Sequence, residues 1–584
     1  MSRDFHRGGF TGFFGPSWLS YPPSPMGRRE TPRNRTLIPE WVVAKHVGQK
    51  IFACVALCSL ATMVTALTLL AESPSGLWAE LIDEQIEGRL KTASVAPNKL
   101  ALDGAYLRRV TLDLVGRPPT LDELNAYESD SDDDKRQRVV EKLMLDPGFA
   151  RYQASELDHL LMGDVNESLA EYLEEAIRLN KSWDTIFREI VLAKDSKEGN
   201  ATAAYYRSRI GDLDKLTNSV SIAFFGVNVS CAQCHDHPLV FEWTQAHFFG
   251  MKSFFGRMYQ NGKRFGERDY GLVKYKNPEG ESFSAQPMFL TGTVIDQPPW
   301  WQPSAAEKKR EREELEERKK DDLPPPEPVF SLREQLVRVA LSPDQRHYFN
   351  QAIVNHTWDR FMGTGIVNPV DQMHPANTAS HPELLNQLAA SFAEHGYDLH
   401  ALIKAVVLSD TYARSSLWVG DHETEPPARE YFAMAQVRPL TPLQYSAAMM
   451  LASAAPEKFQ NKKGHPADDV ARSGDFVAKR LEYPNDDFQI GVGEALFFSN
   501  SEEVQNRILR TSGDSIIDHL VKQSAEDQTV AIQTAFRITL CREVTKQEVE
   551  LTHNYLSSRQ DQLESAWKQI IWALLTSSEF RFNH

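Results

Sequence analysis

The sequence predicts a mainly α-helical, multidomain protein with a small β-containing segment near 270–300 and an N-terminal transmembrane helix. Three observations lead there. Apolar residues recur at three- and four-residue spacing through most of the chain after Leu77. The texture changes to Gly, Pro and short alternating runs such as "LVKYK" and "PMFLTGTV" between Tyr270 and Val294. Ile51 to Ala71 is a run of 21 residues without a charge, long enough to cross a bilayer as a helix.

The 50-residue head carries eight Lys/Arg against three acids, a net +5, and its Gly, Pro and Arg content predicts a disordered basic tail on the cytoplasmic side. Ile51–Ala71 is expected to be a retained anchor rather than a cleaved signal, because 21 residues is long for a signal peptide. The positive head then places the rest of the chain on the exported, periplasmic side, in a single-pass membrane topology. The formal charge is −16, which leaves −21 beyond the head and excludes a nucleic-acid partner. Five cysteines in 584 residues are too few for a disulfide scaffold.

A first helical domain is expected over 77–300. Within it "TLDELNAYESD" opens on Thr120 as N-cap with Glu123 three residues on, a capping-box pattern. "SLAEYLEEAIRLN" and "SWDTIFREIVLA" follow as amphipathic helices, and "TQAHFFGMKSFFGRM" sets Phe248, Met251, Phe255 and Met258 on one helical stripe. Residues 301–329 form a charged and Pro-rich linker. In it, Glu307–Asp322 has one apolar residue in sixteen and reads as a solvated, protease-sensitive spacer closed by Pro324-Pro325-Pro326. A second helical domain is expected over 330–584. Neither domain carries a P-loop, a G-x-S-x-G or a Rossmann fingerprint.

Two stretches carry candidate chemistry. Cys231, Cys234 and His235 in "GVNVSCAQCHDHP" spell C-x-x-C-H, the pattern that fastens a c-type haem: two thiols form thioethers to one porphyrin and the adjacent imidazole ligates the iron. Zinc is the lower-ranked alternative, with His237 completing four donors, although His235 and His237 are too close for an easy tetrahedron. A Cys231–Cys234 disulfide needs no cofactor at all. His247, Met251 and Met258 on the following stretch are the candidates for a sixth haem ligand, against the plain alternative that they belong to the core. In "NPVDQMHPANTASHPELL", Asp371, His374 and His381 gather before a helix with Ser380 as its N-cap, a weak catalytic or metal candidate.

"YLRRVTLDLVGRPPTLDEL" and "FFGVNVSCAQCHDHP" resemble the planctomycete cytochrome-like domain of unknown function. "IVNHTWDRFMGTGIVNPVDQMHPANTASHPELLNQLAASF", "SDTYARSS" and "WALLTSSEFRFNH" resemble its usual C-terminal companion domain. Asn355-His356 and Gly363-Thr364-Gly365 depart from the companion's usual arginines. The resemblance implies this two-domain architecture and a haem c, and no substrate. The expected function is electron transfer or a redox partnership. The alternatives are a non-redox assembly or surface-binding protein stapled by a Cys231–Cys234 disulfide, and a polysaccharide-associated hydrolase using Asp371, His374 and His381.

Overall fold

The structure, a computed structural model, describes residues 74–584 except 164, 195–200, 237–238, 242, 299–301, 419–424, 461–463 and 485–490. The described chain is mainly helical, and its three sheets are each a two-stranded antiparallel pair.

The expectations of a transmembrane helix, a membrane anchor and an exported single-pass body are corrected. Among the described residues no helix is long and apolar enough to cross a membrane, and residues 51–71 lie outside the described part. The reason is the composition of the helices. The longest that opens the described chain, Pro74–Ala93, buries Trp78, Ile82, Ile86 and Leu90 at four-residue spacing. Its other faces carry Glu80, Asp83, Glu84, Glu87, Arg89 and Lys91, which a bilayer would not accept.

The strands begin earlier than the sequence suggests. The helix of "TQAHFFGMKSFFGRM" spans Gln245–Ser253 only, and Met258, expected on its stripe, opens a hairpin that pairs Met258–Asn261 with Arg264–Glu267. Gly262 turns this hairpin at φ 66°, a left-handed conformation that glycine adopts without a Cβ clash. A second pair joins Lys274–Lys276 to Ser282–Ser284, and the third joins Arg438–Pro439 to Phe582–Asn583, near the C-terminus.

The capping box at Thr120 forms: Thr120 Oγ1 accepts from Glu123 N and the Glu123 carboxylate accepts from Thr120 N. Glu123 also binds Arg117 through two hydrogen bonds, and that guanidinium holds its carboxyl down to about 2. The charged stretch after residue 300 is a helix, Ala305–Lys320, with Leu315 as its buried residue. Arg268 contacts Glu311 at 2.7 Å and Arg264 contacts Asp322 at 2.9 Å, which tie it to the first hairpin.

The core does not follow the order of the chain. One apolar cluster runs from Trp78 to Ala433 and includes Cys541; the other joins Leu112 to residues between Leu440 and Phe580. Helix Pro74–Ala93 packs on helices Pro382–Glu394 and Leu399–Leu408, so the start of the described chain and its middle share one interior.

Between the two clusters lies helix Asp103–Val115, buried on nearly every face, with Arg108, Arg109 and Asp113 inside. Asp113 accepts from Tyr412 Oη at 2.7 Å, from Arg438 at 2.6 Å and from Asn583 Nδ2 at 2.9 Å. Its carboxylate is the counter-charge of a nearly buried Arg438. Asp113→Ala is therefore expected to lower unfolding stability by about 3–5 kcal/mol, the cost of leaving a buried ionic partner uncompensated. Asp113→Asn, which keeps an acceptor for Tyr412, should cost less. Urea unfolding followed by circular dichroism measures both.

Candidate functional site

Helix Leu213–Phe225 ends on Gly226 in the left-handed region (φ 66°), and a Cβ there would lie 2.4 Å from Met373 Sδ. This close approach lets loop 371–373 pair with the chain leading to the cysteines. Met373 N donates to Gly226 O (2.9 Å), Asn228 N donates to Asp371 O (2.8 Å) and Asn228 Nδ2 donates to Asp371 Oδ2 (3.2 Å).

A single 3-10 turn, Ser230–Gln233, follows. It is pinned from three directions: Val229 N donates to Asn218 Oδ1 (3.1 Å), Gln233 Nε2 to Asp214 Oδ2 (3.1 Å) and Gln245 Nε2 to Gln233 O (3.1 Å). The turn buries Ala232 and leaves Cys231, Cys234 and His235 exposed. Neither cysteine is in a disulfide. His235 Nδ1 lies 2.7 Å from the carbonyl oxygen of Asp236, whose carboxylate accepts from Gln245 N at 3.1 Å. Leu239 (61% exposed) and Phe241 (89% exposed) stand in the water just beyond the motif, an unusual amount of bare apolar surface for so short a stretch.

The metal-binding expectation is corrected. Among the described residues no three His, Cys, Asp or Glu converge to hold a metal ion. Cys231, Cys234 and His235 on their exposed turn do not make a zinc set, and His237, the fourth donor of that reading, lies outside the described residues. The physical reason is the turn itself, which leaves the three side chains on the surface, where no further His, Cys, Asp or Glu of the described residues joins them in a metal-holding group.

Two of the sixth-ligand candidates, His247 and Met251, are on helix Gln245–Ser253, which packs against the turn, and Met258 follows it. Met251 is sealed in the core, Met258 is buried at the start of its strand, and His247 Nδ1 accepts from Thr244 N at 3.3 Å. Burial of His247 pushes its pKa down.

Asp371, His374 and His381 do not form one group either. Asp371 is committed to Asn228. The His374 ring stands edge-on to Trp243 with centroids 6.0 Å apart, and burial lowers its pKa. His381, rather than Ser380, occupies the N-cap position of helix Pro382–Glu394. Its Nδ1 is 3.1 Å from Ser380 Oγ and its ring lies against Phe432.

Asp371 does reach a second place. It lines a cavity of about 470 Å³ whose polar groups include Glu156, His356 and Arg360. The cavity lies against helices Pro147–Met162, His347–Met362 and Leu399–Leu408. The sequence reading missed Glu156 and Arg360 and passed over His356. A signal was there: Gln153, Glu156, Leu157 and Leu160 share one helical face, and a carboxylate inside an apolar stripe is a departure from solvent-facing charge.

Residues 81–260 match the family model PSCyt2, described as a protein of unknown function (DUF1549), and residues 332–556 match PSD1, a protein of unknown function (DUF1553). The chain pairs a PSCyt2 domain with a PSD1 domain. This is the two-domain arrangement that the resemblance implied; the matches themselves carry no statement about haem. No curated protein and no solved structure matches the chain. In this PSCyt2–PSD1 chain the C-x-x-C-H turn lies inside the PSCyt2 match and the loop that supports it, Asp371–Met373, inside the PSD1 match. The cavity is likewise shared, with Glu156 from PSCyt2 and His356, Arg360 and Asp371 from PSD1.

His381 gives the PSCyt2–PSD1 fold a measurable pH dependence. Burial, assisted by the charge of Arg89, depresses its pKa to about 4. A folded value below the unfolded value of about 6.5 means that the unfolded chain binds the extra proton. The contribution of neutral His381 is then complete above about pH 6.5 and is lost as the pH falls toward 4, by up to about 3 kcal/mol. His381→Gln should flatten the stability profile in that window, as read by urea midpoints between pH 4 and 7.

Proposed function

We propose that Cys231, Cys234 and His235 attach a c-type haem and that the chain serves in electron transfer or as a redox partner. The observation that carries this reading is the exposed turn. Two unpaired thiols three residues apart face outward, with the imidazole beside them held by its Nδ1 contact to Asp236 O. A histidine that ligates iron through one ring nitrogen generally gives the other N–H to a carbonyl, which fixes the tautomer and the ring. The His235–Asp236 contact has that form, and donation from Nδ1 would leave Nε2 as the nitrogen that holds the iron. Bare Leu239 and Phe241 supply apolar surface of the sort that a porphyrin edge covers.

Bound in this way, the haem would supply a reversible one-electron iron couple. The residues of the chain do the remaining work. Asp214, Asn218 and Gln245 fix the turn, and Asp371 anchors its approach through Asn228. Surface placement of the thiols and imidazole suits exchange with a partner protein that touches this face.

Protein matured with a haem-attachment system is expected to carry one covalent haem by mass spectrometry and to show a pyridine haemochrome spectrum. Cys231→Ala and Cys234→Ala should each shift that band, and the double substitution should abolish covalent attachment. His235→Ala should alter iron ligation where haem remains attached. Matured protein without covalent haem, whether colourless with free thiols or two daltons lighter through a Cys231–Cys234 disulfide, would overturn the proposal.

A further inference from the structure

The cavity shared by the PSCyt2 and PSD1 matches is unused by the turn chemistry, and its walls have two distinct characters. Leu157, Leu160, Ile353 and Ile403 supply aliphatic lining. Glu156, His356, Arg360 and Asp371 supply polar lining. A volume of about 470 Å³ falls in the range of small-molecule pockets, which combine apolar walls with a few convergent polar groups.

The polar groups are fixed before any ligand arrives. Arg360 donates to Gln153 Oε1, and Gln153 Nε2 is in turn held by the carbonyls of Asp113 and Leu114 at 2.9 Å each. His356 Nε2 lies 3.4 Å from Ile222 O, so donation there leaves Nδ1 as the unprotonated nitrogen. Glu156 Oε1 is buried and has no hydrogen-bond partner among the described residues. An unsatisfied buried oxygen is uncommon, and a ligand group that meets it gains a hydrogen bond the free protein lacks. Burial raises the Glu156 pKa, against the charge of Arg360 and a hydrogen bond with Tyr152, and shifts the carboxyl toward its donating form; burial lowers that of His356.

The charges narrow the ligand. Arg360 and the carboxyl groups of Asp359 and Asp371 put both signs of charge on the same wall, so a carboxylate or phosphate meets the acids, an ammonium meets the guanidinium, and neither finds only opposite charge. No Trp, Tyr or Phe is among the described residues that line the cavity, so the aromatic platform on which sugars and bases stack is missing. We infer that this cavity binds a small uncharged molecule with an aliphatic body and a carboxamide- or ester-like end, the end meeting Glu156 and the body meeting Leu160 and Ile403.

Saturation-transfer NMR on the full chain, with butyramide as the probe, tests this. Transfer to the alkyl protons of butyramide is expected in the wild type. Leu160→Trp, which fills the space beside the aliphatic lining, should abolish it. Glu156→Ala should weaken binding roughly threefold to tenfold, the loss of one hydrogen bond, and Glu156→Gln, which keeps a donor, should retain it. Absence of transfer in the wild type, or an undiminished signal in Leu160→Trp, overturns the inference. Should Leu160→Trp fail to fold by near-ultraviolet circular dichroism, an unchanged affinity in Glu156→Ala overturns it instead.

Discussion

The buried charges of helix Asp103–Val115 are the constraint on which the rest of the structure hangs. A guanidinium or carboxylate taken out of water needs its hydrogen bonds replaced, or the element carrying it will not stay buried. Arg109 reaches the carbonyls of Tyr412 (2.5 Å) and Arg414 (2.9 Å), and Arg108 reaches those of Thr539 (3.4 Å) and Phe580 (3.1 Å). Asp113 takes Tyr412, Arg438 and Asn583. Every one of these partners lies about 300 residues or more away in the chain. A helix in the PSCyt2 match thus depends on PSD1 residues, and on residues beyond that match, for its burial.

The same dependence reaches both candidate sites. The chain entering the C-x-x-C-H turn has its backbone paired with Asp371 and Met373, so the exposure of Cys231 and Cys234 rests on a loop from the other family match. Gln153 links the cavity to the Asp113 helix: its amide nitrogen bonds the carbonyls of Asp113 and Leu114 while its oxygen receives Arg360. Since Asp371 belongs both to the turn's support and to the cavity wall, the two sites share a structural element although their chemistry differs. This sharing couples them only mechanically, through one loop and one helix whose packing both require.

Much of the fold was legible because helix signals are local. Thr120 and Glu123 announce a capping box that forms, and Trp78, Ile82, Ile86 and Leu90 announce a buried stripe without knowledge of what it meets. The hairpin at Met258 went unread because "FFGRMYQNGKRFGE" keeps apolar residues at spacings that suit a helix as far as Met258, although Asn261-Gly262 is a hairpin signal in its own right. The exposure of Cys231 and Cys234 was not legible: spacing names a motif, and only the pinned turn says which way its side chains face.

The sequence by itself determined the helical content, the Thr120 capping box, the C-x-x-C-H spacing and the order of the two family segments, since each is written along the chain itself. Tertiary structure alone decided which charges are buried. Nothing local to "YLRRVTLDLVG" marks Arg108, Arg109 and Asp113 as buried, and the apolar stripe around Glu156 hints at its burial without naming what it meets. Their burial is set by carbonyls, rings and guanidinium groups that come from distant parts of the chain, and no local pattern encodes a partner hundreds of residues away.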